Sequence, residues 1–203
     1  MKTPNNKQEK VSLLVSMPSL KGDIFNQTVI LLIDNSVIQD VVLGIVLNKP
    51  ARFEKDDELI QSLSMHDMAN AEITDIKGET HLLWGGPVAT SSMWYLREDS
   101  SFCQQTNKTI HKLDFSFIKN ESIEFNDLAP LKIHEMGLGY ACWSEEQLDD
   151  EIGQSSWWRV ELSYQDFAKG LLAEGYQNRW RFALNQVGVK TENFYDHCVL
   201  AIQ

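Results

Sequence analysis

The chain has 203 residues, of which 43% are hydrophobic, and its 18 Lys and Arg against 29 Asp and Glu give a formal net charge of -11 at pH 7. This size supports one sizeable core and predicts a single domain over residues 11–203, after a loosely ordered lead at 1–10. The acidic balance repels phosphate backbones and anionic membranes, so it disfavours direct nucleic-acid binding and membrane association.

Nucleic-acid binding by an acidic chain would need a local basic patch. The densest basic group contains Arg179, Arg181, Lys169 and Lys190. It lacks the clustered charge and interleaved aromatic rings of a binding stripe, so we interpret it as solvated surface.

Cysteine usage points to a reducing compartment. Cys103, Cys142 and Cys198 are widely separated and odd in number, which favours reduced thiols over a disulfide framework. The polar start of the chain is unlike a signal peptide, and the longest apolar run, Val41–Leu47, is too short to cross a bilayer. We therefore expect a cytoplasmic protein.

The first quarter of the chain predicts buried strands. Runs rich in Val, Ile and Leu extend over Val11–Met17, Thr28–Ile33 and Val41–Leu47. The last two runs are continuous, which is typical of strands covered on both faces. The turn residues Asp34–Ser36 predict that the last two runs form an antiparallel pair, and Pro50 marks the exit into a loop.

The middle of the chain predicts a short helix followed by more strands. The helix begins at Asp56–Glu58, where acidic residues suit a helix N-terminus. Extended segments are predicted at His81–Trp84 and Met93–Leu96, and a hairpin from Ile110–Ile118 with Ser122–Phe125.

Helices dominate the remainder. Ser144 and Gln147 stand at capping-box spacing and predict a helix directly after the extended segment Leu138–Trp143. The other predicted elements are a strand at Trp157–Leu162, a helix capped by Ser163 and Asp166, a helix at Gln177–Val187 that ends at Gly188, and a strand at Val199–Ile202. The third of these is predicted to bury one face, made by Trp180, Ala183, Leu184 and Val187.

Four motifs occur in order along the chain. They are Ser16–Pro18, Gly44–Pro50, Trp84–Val88 and Gly139–Trp143, the last followed by Gln147, Glu151 and Trp157. In order and spacing, from about Val11 to Gly188, they resemble the AlgH/YqgE-like family of bacterial proteins. The resemblance implies an α+β fold: a strongly bent mixed β-sheet, barrel-like in part, surrounded by helices.

The resemblance implies no reaction and no cofactor. Members of the family are often labelled transcriptional regulators, although no DNA-binding module is carried by these motifs. The chain also departs from the family pattern. Cys142 stands where the family usually has Gly, Glu145 and Glu146 replace a stretch that commonly contains Gly, and Leu113–Met136 has no clear counterpart.

Two side chains are candidates for catalysis. Cys142 precedes a predicted helix whose positive end favours a thiolate, and the alternative is that it is a small buried side chain beside Trp143. Glu151 lies one turn after Gln147 on the same helical face, and we expect it to face a cleft. Its acidic neighbours Asp149 and Asp150 are expected to lie on a solvated face of the helix. The five histidines show no metal-ligand spacing, so no metal site is predicted.

Gly85 and Gly86 follow a predicted strand. They favour a tight turn with close backbone approach over a phosphate-binding loop, because no Lys and no helix N-terminus follow them. Trp143, Trp157 and Trp158 are compatible with core packing or with one wall of a ligand groove.

The sequence thus predicts no bond-making reaction. The leading hypothesis is a non-enzymatic binding or regulatory protein that recognises a protein or a small ligand. The residues predicted for its recognition surface are Asn48, Gly85, Gly86, Trp143, Gln147 and Glu151. A hydrolase-like enzyme using Cys142 or Glu151 is the first alternative, and a transcriptional regulator is the second.

Overall fold

The computed structural model describes residues 10–20, 24–33, 40–51, 82–103, 108–117 and 133–189. The chain divides into two compact units, residues 1–48 with 142–203 and residues 49–141. The described elements are β1 (Lys10–Ser16), β2 (Val29–Ile33), β3 (Val41–Val46), β4 (Leu83–Trp84), β5 (Val88–Cys103), β6 (Lys108–Phe117), β7 (Ile133–Ser144), α1 (Glu145–Gly153), β8 (Trp157–Ser163), a π-helix (Asp166–Leu171) and α2 (Tyr176–Gln186).

The sheet of the first unit has the strand order β3-β2-β1-β8, and every neighbouring pair is antiparallel. Leu14 of β1 pairs with Ile30 of β2, and Ile30 pairs in turn with Val46 of β3. The predicted strands and the predicted antiparallel pairing of β2 with β3 are confirmed.

Consecutive residues of these strands are buried, so both faces of the sheet are covered. Leu13, Leu14 and Val15 of β1 have no exposed surface, and the same holds for Val29 and Ile30 of β2. Each such side chain contributes about 1.5–3 kcal/mol of hydrophobic stabilisation. The continuous apolar runs therefore indicated the right environment.

Serine side chains bond to the backbone at the beginnings of two helical segments. The Ser144 hydroxyl accepts a hydrogen bond from the Gln147 amide at 3.1 Å at the start of α1. The Ser163 hydroxyl likewise accepts from the Asp166 amide at 3.1 Å, where the π-helix begins. The predicted cap of α1 is confirmed. The predicted bond between Ser163 and Asp166 is present, but the segment that follows is a π-helix whose N-cap is Gln165 and which has no side-chain cap of its own.

The last described helix, α2, packs onto the strands through Trp180, Ala183 and Leu184, which are all buried as predicted. Gly188 follows its end with φ +77, the left-handed conformation expected of a terminating glycine. Val187 was predicted to belong to the same buried face, and this is wrong. It lies past the last helical residue, with φ -97 and ψ 12, and is 37% exposed.

Arg179 is buried, with 3% of its surface exposed, and is not part of a solvated basic surface as the sequence suggested. Its guanidinium donates to the backbone carbonyls of Leu47, Leu172 and Glu174 at 2.6, 3.1 and 3.2 Å. Arg179 therefore ties α2 to the end of β3, while Arg181 is exposed.

In the second unit, β5 pairs antiparallel with β6 on one side and with β7 on the other, and β4 lies parallel to β7. The sheet is therefore mixed, and the α+β prediction is confirmed. Register shifts interrupt the β5–β7 ladder between Val88 and Met93 and between Leu96 and Arg97. Irregularities of this kind bend a sheet and increase its twist.

Strand β5 is longer than predicted, because pairing with β6 keeps the polar residues after Leu96 extended. The predicted strand at His81–Trp84 is represented by the two residues of β4. The first strand of the predicted hairpin lies in β6, and its second strand, Ser122–Phe125, lies outside the described residues. The predicted helix at Asp56–Glu58 and the strand at Val199–Ile202 also lie outside them.

No helix in the described part of the chain combines the length and apolar character needed to cross a lipid bilayer. Of the predicted lead at 1–10, the structure describes only Lys10, which is the first residue of β1. The assignment of residues 11–203 to a single domain stays a prediction.

Candidate functional site

The Glu151 carboxylate holds three hydrogen bonds. Its Oε2 atom accepts from the indole N–H groups of Trp143 at 3.1 Å and Trp157 at 2.8 Å. Its Oε1 atom accepts from the side-chain amide of Gln147 at 2.8 Å. We call Trp143, Gln147, Glu151 and Trp157 the tryptophan–glutamate cluster. It lies within the first unit and joins the end of β7, helix α1 and the start of β8.

Each member of the cluster is positioned by its secondary structure. Trp143 points inward because β7 alternates there between the buried Ala141 and Trp143 and exposed neighbours. Gln147 and Glu151 are four residues apart on α1 and so share one face of the helix. Trp157 is the first residue of β8 and is 3% exposed.

The rings of the cluster pack directly on one another. Trp143 and Trp157 meet edge to face, with ring centroids 6.3 Å apart and an interplanar angle of 83°. Phe25 contacts both, at centroid distances of 6.4 Å and 5.6 Å. Close packing at these distances is typical of core aromatic pairs. Phe25 was not predicted from the sequence, because it reaches the cluster through a contact between distant segments of the chain.

This packing decides between the two interpretations of the tryptophans. A ligand groove needs aromatic surface that is open to the ligand. Here Trp143 is only 5% exposed, Trp157 is 3% exposed, and the nearby carboxylate already accepts from three donors. The cluster is therefore a packed structural junction, and the core interpretation of the two tryptophans is confirmed.

Gln147 completes the cluster from its solvent side. In a full capping box its side chain would return to the backbone N–H of Ser144. Instead its side-chain amide donates to the Glu151 carboxylate, a charge-assisted hydrogen bond. The side chain of Gln147 is exposed, whereas Glu151 is half-buried.

Cys142 is exposed, so the interpretation as a small buried side chain is wrong. It occupies an outward position of β7, between the buried side chains of Ala141 and Trp143. Among the described residues, no group of three or more side chains that could hold a metal ion is found.

Exposure gives Cys142 a clear mutational prediction. Cys142→Ser should change the free energy of unfolding by less than about 0.5 kcal/mol, because exposed positions away from special features tolerate substitution. Urea unfolding monitored by circular dichroism provides the measurement. A loss of 2 kcal/mol or more, on the scale of a small core truncation, would show that the thiol is packed inside.

Asn48 braces the backbone where β2 begins. Its Oδ1 atom accepts from the Val29 amide at 2.9 Å, and its Nδ2 atom donates to the Gln27 carbonyl at 2.7 Å. Gln27 has φ +50, a conformation that non-glycine residues adopt at a cost. The Asn48 side chain thus holds a strained turn in place.

We predict that Asn48→Ala lowers the free energy of unfolding by about 1–2 kcal/mol, because both backbone groups lose their partner. Asn48→Asp is the informative companion variant. It keeps an acceptor for Val29 but places a carboxylate oxygen against the Gln27 carbonyl, so it should also destabilise. If Asn48→Asp were as stable as the natural chain in urea unfolding, the Gln27 contact would contribute nothing.

Gly85 and Gly86 lie in the second unit, where the backbone passes very close to β7. The Gly85 amide donates to the Leu138 carbonyl at 2.7 Å, and a Cβ at Gly85 would stand 2.5 Å from the indole nitrogen of Trp94. Gly86 has φ +152, and a Cβ there would stand 2.5 Å from the backbone nitrogen of Ala141. Close backbone approach, predicted for these glycines, is confirmed.

The partner of these glycines is a tryptophan that the sequence did not single out. Trp94 is completely buried and donates its indole N–H to the Gly139 carbonyl at 2.8 Å. Its ring covers Gly137, where any Cβ would collide with it. The Gly-Leu-Gly spacing of residues 137–139 in an otherwise apolar strand was the available signal.

The structure thus brings together three of the six residues predicted for a recognition surface. Trp143, Gln147 and Glu151 meet in the tryptophan–glutamate cluster. Asn48 belongs to the same unit and bonds the backbone at Gln27 and Val29, while Gly85 and Gly86 make their described contacts within the second unit.

Comparison with known proteins identifies the family of the chain. The sequence profile described as AlgH-like (DUF179) matches residues 13–192. The chain belongs to the AlgH-like family. The motifs that indicated this family, including Gly85–Val88 and Gly139–Trp143, are those whose backbone packing and hydrogen bonds are described above.

Relatives that carry the name UPF0301 protein match over most of this chain. A UPF0301 protein of Shewanella denitrificans is 26% identical over 183 residues, which cover 88% of this chain and 91% of the relative. A UPF0301 protein of Bacteroides fragilis is 27% identical over 187 residues, covering 90% of this chain and 84% of the relative.

Solved structures support the fold alone. The solution structure of the AlgH protein of Pseudomonas aeruginosa matches with a TM-score of 0.57 at 20% identity, covering 100% of this chain and 98% of that chain. A crystal structure of a Corynebacterium diphtheriae protein matches with a TM-score of 0.52 at 18% identity and covers 76% of each chain.

Proposed function

We propose that this AlgH-like protein is a non-enzymatic cytoplasmic recognition protein that binds a basic partner protein through the outer face of α1. The observation that carries the proposal is the set of three hydrogen bonds that the Glu151 carboxylate accepts in the tryptophan–glutamate cluster, which we call the Glu151 clamp. A carboxylate bonded to two indoles and one amide fixes α1 against β7 and β8. The helix face that points away from this clamp is the recognition surface.

The outer face of α1 is uniformly acidic. Glu145, Glu146, Asp149 and Asp150 are all exposed, and α1 contains no Lys or Arg. None of the four forms an ion pair within the described part of the chain. Unpaired charges of one sign speed and orient the approach of a partner with the opposite charge.

Asp149 and Asp150 oppose the stability of the helix that carries them. By contrast, Glu145 and Glu146 lie in its first turn, where the helix dipole favours acidic residues. Glu145 and Asp149, like Glu146 and Asp150, are four residues apart, and like charges at this spacing cost a few tenths of a kcal/mol. Asp149 and Asp150 also approach the negative end of the helix dipole. A sequence that departs from favourable helix electrostatics is expected where function requires it.

The clamp supports the recognition surface by holding it in one orientation. Glu151 bonds to Trp143 and Trp157, whose rings are almost fully buried. Binding to a surface that is already ordered avoids part of the entropy cost of association. Trp143 and Glu151 therefore support the recognition surface, and Gln147 lies at its inner margin.

The test uses a pair of charge-neutralised variants. Asp149→Asn with Asp150→Asn removes two charges from α1, so the affinity for a partner purified with the natural chain should fall at least about 5-fold, on the scale of two lost surface ion pairs. Isothermal titration at low salt measures it. The affinity of the natural chain should itself fall at higher ionic strength, because exposed charges are screened.

A matched control removes two charges elsewhere. Asp40→Asn with Glu161→Gln has the same effect on net charge; Asn suits the φ of +62 at Asp40, and Gln keeps an acceptor for the Ser12 hydroxyl. The control should bind like the natural chain. If both pairs of substitutions weaken binding equally, the effect comes from the net charge of the protein. If the pair on α1 binds the partner as tightly as the natural chain, the outer face of α1 is not the recognition surface.

The alternative function is a hydrolase-like enzyme working through Cys142. The exposure of the thiol beside the start of α1 favours it over an enzyme working through Glu151, whose carboxylate is occupied by three donors. Alkylation of Cys142 tests it: a rate no greater than that of a model peptide near neutral pH argues against an activated thiol. Turnover abolished by Cys142→Ser would reject the recognition proposal.

A further inference from the structure

We draw no further inference here: the strongest candidate, the partly exposed aromatic strip that Phe115 and Phe117 of β6 form with Tyr140 of β7 on one face of the second unit, is an apolar surface for which nothing among the described residues shows what covers it.

Discussion

Replacing Gly86 with Ala is expected to lower the free energy of unfolding by about 3 kcal/mol or more, the upper range for overpacking a tight site. The added methyl group would overlap the carbonyl of Tyr140 and the backbone nitrogen of Ala141. These are backbone atoms of β7, so no side-chain rotation relieves the overlap. The φ of +152 at Gly86 is also poorly accessible to Ala. Urea unfolding, or the yield of folded protein if the variant is too unstable, measures the effect.

Gly153→Ala is the matched control for this substitution. Gly153 is the last residue of α1, and a Cβ there would meet nothing within 4 Å. The change should be neutral or stabilising by up to about 1 kcal/mol, because Ala is the better helix former. A Gly86→Ala variant as stable as Gly153→Ala would contradict the close backbone packing of the second unit.

Replacing Glu151 with Ala is expected to cost about 2–4 kcal/mol, because two buried indole N–H groups lose their acceptor at about 1–3 kcal/mol each. Trp143 and Trp157 are almost completely buried, so water reaches their indole nitrogens poorly. The near-ultraviolet circular dichroism of the tryptophans should change with the loss of stability. Urea unfolding followed by tryptophan fluorescence gives the free-energy difference.

Two milder variants separate the hydrogen bonds from the charge. Glu151→Gln keeps one carbonyl oxygen for both indoles and should cost about 1–2 kcal/mol, because charge-assisted bonds become neutral ones. Gln147→Ala removes a single exposed contact and should cost less than about 1 kcal/mol. If Glu151→Ala were no worse than Gln147→Ala, the indole bonds would not hold the cluster together.

Local patterns of the sequence were sufficient for the first three strands of the first unit. Runs of Val, Ile and Leu identified β1, β2 and β3, since short runs that are rich in β-branched residues and bounded by turn residues favour strands over buried helices. They were insufficient for β5, where the residues after Leu96 are polar and stay extended through pairing with β6. That information lies in another segment of the chain.

In the candidate site, too, local patterns predicted some features, while others depend on contacts between distant segments. The spacing of Gln147 and Glu151 placed both on one face of α1, as the structure confirms. The exposure of Cys142 was missed because the interpretation relied on the usual burial of cysteine, whereas the alternation of β7 decides it. Phe25 and Trp94 were missed because their contacts are made between distant segments.

The indole N–H resonances of the tryptophans provide the most direct test of the clamp on which the recognition proposal depends. In a ¹H–¹⁵N spectrum, assigned by Trp→Phe substitutions, Glu151→Gln should shift the indole signals of Trp143 and Trp157. The Trp94 signal should stay in place, because its indole bonds to the Gly139 carbonyl. Unchanged Trp143 and Trp157 signals would contradict the presence of the clamp, and with it the reason for treating α1 as a fixed recognition surface.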